Sequence, residues 1–181
     1  MATATTMSGV AFDQLTYEEG RHLELLQGEL IDVPNATLKH QLIVLDLGGS
    51  LRQYFWREPC GGVAPDVDFA LAEDTRLRPD LAILLGEHWA SVDENKTPIS
   101  LTPDIVVEVV SPSERVADSL RKIRTYLRAG VREVWQVAPG TQQVFIHRAG
   151  PSVAVLEIDD ILKTPLLPGW EISLREIFRA K

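Results

Sequence analysis

The sequence predicts an α/β (α+β) fold: a mixed β-sheet flanked by helices, with β-hairpins added to it. Three observations carry that expectation. Asp104 to Val110 is almost wholly apolar and β-branched apart from one glutamate, a pattern suited to the middle of a sheet covered on both faces. A helical stretch follows and stops at Gly130, and Val131 to Ala138 then returns to strand character, which is a crossover connection. Short apolar runs broken by turn residues lie on either side and read as hairpins.

The 181 residues, 45% of them apolar, are expected to form one domain over 15–181 behind a flexible N-terminus over 1–14. The start lacks the charged and apolar regions of a signal peptide, and no apolar run reaches membrane-spanning length. A single cysteine, Cys60, allows neither an internal disulfide nor a cysteine metal cluster, and a cytoplasmic setting is expected.

Along the chain, Thr16 to Leu26 opens with a possible cap and turns extended. Leu23–Leu26, the Gln27-Gly28 turn and Glu29–Val33 then form a hairpin. Ala36 to Trp56 is expected to be a helix with His40, Ile43, Leu47 and Tyr54 near one face, weakened by Gly48-Gly49. Val63 to Leu71 alternates as a strand, Asp74-Thr75 breaks it, and Leu77 to Leu85 follows before a polar loop containing Pro98. After the Asp104–Val110 strand, Ser111-Pro112-Ser113-Glu114 is a helix-start signal. The helix runs to Ala129, with Val116, Leu120, Ile123 and Leu127 as its apolar stripe. Val131–Ala138 pairs with Gln143–His147 across a Pro139-Gly140 turn. A strand near Val153–Ile158 and a helix over Ser173–Phe178 complete the chain.

Charge narrows the function. The net charge of −8 argues against broad, non-specific nucleic-acid binding. Yet Arg115, Arg121, Lys122, Arg124, Arg128 and Arg132 crowd one short stretch, against only Glu114 and Asp118. Such a stripe either holds a phosphate chain or is a solvated helix face.

Glu108 is the most informative residue. Inside Ile-Val-Val-Glu-Val-Val, an unpaired carboxylate costs several kcal/mol, so it is protonated, paired with a cation or bound to a metal, unless it sits at a solvent-facing edge. Asp80 follows Pro79, which removes a ladder donor and favours an edge, a bulge or a plain strand-entry turn. Two carboxylates on adjacent strands beside a lysine suit Mg²⁺, which prefers oxygen donors and keeps several waters. His22, His88 and His147 show no ligand spacing, so zinc is not supported.

Pro-Asp on one strand followed by Glu-x-Lys on another is the mark of the PD-(D/E)XK nuclease superfamily. Here Pro79-Asp80 precedes Glu108-Val109-Val110, so the strand lysine is missing. The chain resembles one bacterial branch, the "putative restriction endonuclease" (Uma-type) family, from about Leu15 to Phe178. The residues that carry the resemblance run in order. Glu24-Leu25, Gly28-Glu29, His40 and Pro79-Asp80 come first, then Pro103-Asp104 through Glu108 to Ser111-Pro112-Ser113. Asp118, Lys122, Tyr126, Gly130-Val131 and Glu133-Val134-Trp135 close the match. One departure is Gln136-Val137-Ala138-Pro139, where the family often has Val-Asp-Pro.

The resemblance implies a restriction-endonuclease-like fold and a Mg²⁺-dependent endonuclease, with Mn²⁺ able to substitute. DNA would be the substrate, and a homodimer is expected. Asp80 and Glu108 would bind the metal, and Lys122, moved to the helix, would assist water and phosphate. Glu24 and His40 are auxiliary candidates. On the assumed apolar stripe, Lys122 lies roughly 130° from the core-facing centre, reaching a site only along the helix flank; its plain alternative is an exposed lysine paired with Asp118. Tyr126 and Trp135 are expected to pack. The rival reading is a catalytically inactive member of the fold that binds nucleic acid or protein.

Overall fold

The computed structural model describes residues 6–16, 22–111 and 115–179. Within the stretch expected to be loose, α1 (Gly9–Asp13) is capped by Ser8 and tied down where Asp13 pairs with the Arg76 guanidinium at 3.0 Å. The possible cap at Thr16 leads into 17–21, and those residues lie outside the described ones. The predicted hairpin is β1 (His22–Leu26) and β2 (Glu29–Val33). Its two turn residues, Gln27 and Gly28, both have positive φ, the two-residue turn whose twist matches paired strands.

Helix α2 (Leu38–Arg57) begins where Thr37 accepts a bond from the His40 amide. It buries Ile43, Leu47, Leu51, Tyr54 and Phe55. Gly48 lies on the side where a Cβ would stand 3.2 Å from Leu81, so the glycine expected to weaken the helix lets it approach the sheet closely.

The run expected as one strand over Val63–Leu71 is two, β3 (Gly61–Pro65) and β4 (Phe69–Ala72), in different sheets. Leu77–Leu85 divides in the same way into β5 (Thr75–Leu77) and β6 (Leu81–Leu85). Arg78-Pro79-Asp80 is therefore the segment where the chain crosses between sheets, and the proline that cannot donate to a ladder stands where no ladder is needed. The expected polar loop begins with a short helix, α3 (Gly86–Ala90). Strand β7 (Ile105–Val109), helix α4 (Val116–Arg128) and strand β8 (Glu133–Ala138) form the predicted parallel crossover. Pro112, Ser113 and Glu114 of the expected helix start lie outside the described residues, and α4 ends at Ala129 before Gly130 at φ +105°. Strands β9 (Gln143–His147) and β10 (Val153–Leu156) extend the sheet. A small unforeseen hairpin of β11 (Ile161–Lys163) and β12 (Glu171–Ser173) leads into α5 (Leu174–Ile177), capped by Ser173.

The six-stranded sheet has the order β10-β9-β8-β7-β6-β3, mixed because only β7 and β8 run parallel. A four-stranded sheet, β2-β1-β5-β4, lies beside it. Side chains alternate across β7 and β8. Ile105, Val107, Val109, Trp135 and Val137 pack with α2 and the C-terminal segment. Val106 and Val134 pack with Ile123 and Tyr126 of α4 and with Leu26 and Leu77 of the second sheet. Glu108, two residues beyond Val106, shares that second face. Among the described residues, no helix is long and apolar enough to cross a membrane.

The start of β3 leaves no room for a side chain. A Cβ at Gly61 would run into the Leu84 carbonyl oxygen of the neighbouring strand. Gly61→Ala is therefore expected to destabilise the protein by about 1–3 kcal/mol through overpacking against backbone, measured as a lower urea midpoint. An unchanged midpoint would show that β3 and β6 are not paired this closely.

Candidate active site

The site is a cavity of about 710 Å³ between the two sheets and the ends of α2 and α4, and its lining includes Glu24, His40, Asp80, Glu108 and Lys122. All five residues singled out in the sequence thus meet in one place. Each arrives from a different element: β1, α2, the β5–β6 crossing, β7 and α4.

Asp80 is set by strand pairing. Leu81 pairs with Val107, so one further step of the antiparallel register carries Asp80 across from Glu108. Its Oδ2 accepts the Val109 amide at 2.6 Å, and Oδ1 lies 3.2 Å from His40 Nε2. The first turn of α2, shaped by its Thr37 cap, thereby delivers His40 to the site.

Lys122 is only 7% exposed, and this overturns the expected orientation of α4. Only half of the stripe expected to face the core does so: Ile123 is buried and Leu127 packs beside it, but Val116 is 75% and Leu120 40% exposed. The buried face is formed by Ser119, Lys122, Ile123, Thr125 and Tyr126. The reason is that its polar members find partners across the interface. Ser119 accepts a bond from Gln136 Nε2 at 2.9 Å, and Tyr126 O–H donates to Glu108 Oε1 at 2.6 Å. Lys122 Nζ lies 2.7 Å from Glu24 Oε2 and 3.7 Å from Glu108 Oε2. Asp118, the alternative partner expected for Lys122, lies 3.7 Å from the Arg121 guanidinium.

Glu24, 2% exposed, anchors the lysine from the second sheet. Its other oxygen accepts the Arg78 amide at 2.9 Å, so the sheet-crossing segment is fastened to the site on both sides of Pro79. The Arg78 guanidinium holds Asp68 through two bonds, which places Asp68 in a structural pair. Trp135 packs as expected, stacked on Trp170 at 5.4 Å.

Three carboxylates, Glu24, Asp80 and Glu108, therefore line one cavity, two of them beside the Lys122 ammonium. Burial pushes the Glu108 carboxyl up to about 8; nearby Lys122 lowers it, while Asp80 and Glu24 raise it further. Tyr126 is held well above its ordinary value, mainly by burial and then by Glu108. Among the described residues, no three His, Cys, Asp or Glu side chains are grouped so as to hold a metal by themselves. Asp80, just before β6, and Glu108, on the neighbouring β7, offer a pair of oxygen donors. Tyr126 packs as expected, and what sequence reasoning missed is its hydroxyl's bond to Glu108. The signal for it was the tyrosine's place four residues after Lys122, on the same face of the helix.

Comparison with known proteins identifies the family and the fold. The family described as "Putative restriction endonuclease", Uma2, matches residues 10–175. Among solved structures, the chain is similar to a putative nuclease belonging to DUF820 from Anabaena variabilis ATCC 29413. The TM-score is 0.83 at 20% identity, over 95% of this chain and 97% of that one. At that identity the likeness establishes a shared fold. No curated protein matches the chain.

The raised Glu108 carboxyl has a pH consequence. Below about pH 4.5 the carboxyl is protonated folded or unfolded; between there and about 8 the folded state holds a proton that the unfolded chain releases. Stability in EDTA is thus expected to fall through that window, by up to about 1.4 kcal/mol per pH unit from this group. Glu108→Gln should flatten the decline, differing little from wild type at pH 4 and being more stable at pH 9. Parallel denaturation profiles for the two proteins would refute the buried-carboxyl account.

Proposed function

Because this chain belongs to the Uma2 family, described as "Putative restriction endonuclease", we propose that it is a Mg²⁺-dependent endonuclease hydrolysing DNA phosphodiester bonds. The observation that carries this reading is the meeting of Asp80, Glu108 and Lys122 in one cavity, with more acidic than basic groups around it. A hard divalent cation fits that donor set. Mg²⁺ needs only one or two carboxylates, completing its shell with water and substrate phosphate, and Mn²⁺ would serve similarly. Asp80 and Glu108 would hold it, and when bound it would make its water more acidic and offset charge on the phosphate.

The protein's own groups have separable tasks. The Val109 amide occupies Asp80 Oδ2 and orients that carboxylate from the backbone. Tyr126 occupies Glu108 Oε1 and leaves Oε2 on the Lys122 side. Lys122, fixed by Glu24, would offer a compact positive charge to a phosphate oxygen that gains charge during attack. His40, 3.2 Å from Asp80, would orient a phosphate oxygen or accept a proton from water.

The net charge of −8 favours a second reading, an inactive nuclease-fold protein that binds nucleic acid or protein. Calorimetry and cleavage separate the two. Mg²⁺ is expected to bind the wild-type chain and to bind Asp80→Ala far more weakly. Cleavage of single- or double-stranded DNA should require the metal and fall about 100-fold or more in each of Asp80→Ala, Glu108→Ala and Lys122→Ala. Metal binding without cleavage would favour the inactive reading; cutting that survives all three changes would remove this site from the chemistry.

A further inference from the structure

Helix α2 carries apolar residues on both sides, and among the described residues one side packs into the core while the other carries large exposed side chains. Ile43, Leu47, Leu51, Tyr54 and Phe55 face the core. On the opposite side stand Leu38, Leu42, Leu45, Gly49, Arg52 and Trp56, spaced four, three, four, three and four residues apart. That is the 3.5-residue spacing of a helix seam built to meet another helix. Leu38, Leu45 and Trp56 are 65%, 68% and 76% exposed, which is unusual for large apolar residues aligned on one stripe.

The stripe is also self-complementary. Its spacing reads identically from either end, so a second copy laid antiparallel stays in register along the whole stripe, about 27 Å at 1.5 Å per residue. In that overlay Leu38 falls opposite Trp56, Leu42 opposite Arg52, and Leu45 opposite Gly49, each pair occurring twice around a two-fold axis near Leu47. Sizes match across the axis. A Cβ at Gly49 would find nothing within 4 Å, and that open space is what a leucine knob from the other copy requires. Arg52 already lies over the Trp56 ring, 5.6 Å from its centre, and its aliphatic stem can cover Leu42 of the second copy. Two-fold contacts of this kind are the commonest in soluble oligomers.

We propose that the outward face of α2 is a homodimer seam, docking antiparallel on the same face of a second copy of this chain. One helix pair is smaller than a standard interface of about 800 Å² per partner, so a dissociation constant on the order of micromolar is expected.

Analytical sedimentation of the full chain over about 1–200 µM is the first test. Wild type should show a monomer–dimer equilibrium, and Leu45→Glu should weaken it at least about 100-fold while leaving the circular dichroism spectrum and thermal midpoint of the monomer unchanged. Should Leu45→Glu fail to fold, Gly49→Glu places the charge in open space and carries the same expectation. Register is tested in a Cys60→Ser background. Leu45→Cys chains mixed with Gly49→Cys chains should form a disulfide between unlike chains faster than either forms one with itself. A wild-type monomer at every concentration would assign the stripe to some other partner and overturn the proposal. So would a dimer that survives both glutamate variants, or Leu45→Cys chains that link preferentially to themselves.

Discussion

The arrangement of this protein depends on one buried cation. Lys122 is held between Glu24 on one sheet and Glu108 on the other, at 2.7 and 3.7 Å. A lysine this deeply buried would be strongly destabilising alone; Glu24 at 2.7 Å offsets that cost, and Lys122 in turn offsets part of the burial cost of Glu108. The requirement is mutual, and it fixes how three elements sit. It turns α4 so that its polar row faces inward, brings β1 against the face of β7, and sets the crossing segment between them.

That segment shows how local chemistry and long-range packing meet. Pro79 lacks the amide that a ladder would use, and the chain leaves one sheet there and joins the other. On either side, backbone amides bond to site carboxylates: Arg78 to Glu24 and Val109 to Asp80. The acids are thus oriented by main-chain donors, which move less than side chains. On the far side, Gly48 lets α2 approach Leu81, and the same helix carries His40 to Asp80. The close packing of the core and the convergence of the site are produced by the same contacts.

Features governed by neighbours in sequence could be read from the sequence. The Gln27-Gly28 turn, the buried β7 with its lone glutamate and the α4 stop at Gly130 depend on backbone preference and local pattern, and the crossover follows from their order. The facing of α4 could not be read this way. Hydrophobicity favours Val116 and Leu120 as core residues, but what decides is the presence of Gln136, Glu108 and Glu24 opposite Ser119, Tyr126 and Lys122. Those partners are distant in sequence, so no window on the helix contains them. The divided strands failed for a related reason. The alternation from Val63 to Leu71 masks the sheet change, whose local mark is Pro65-Asp66: a proline ends β3 there and Asp66 takes φ +51°.

The missing strand lysine follows from the same geometry. A lysine at position 110 would stand two residues after Glu108 and so on the same face of the sheet. That face is the one α4 covers, and Lys122 brings an ammonium to it from above. What the arrangement requires is a positive charge beside Glu108 on the α4 side, and the backbone supplying it can be strand or helix. The helical solution adds something the strand cannot: because Lys122 also reaches Glu24, displacing the lysine disturbs β1, β7 and α4 together. A substitution at Lys122 therefore acts on the fold as well as on the site, whereas one at Asp80, half-exposed at the cavity edge, acts mainly on the site.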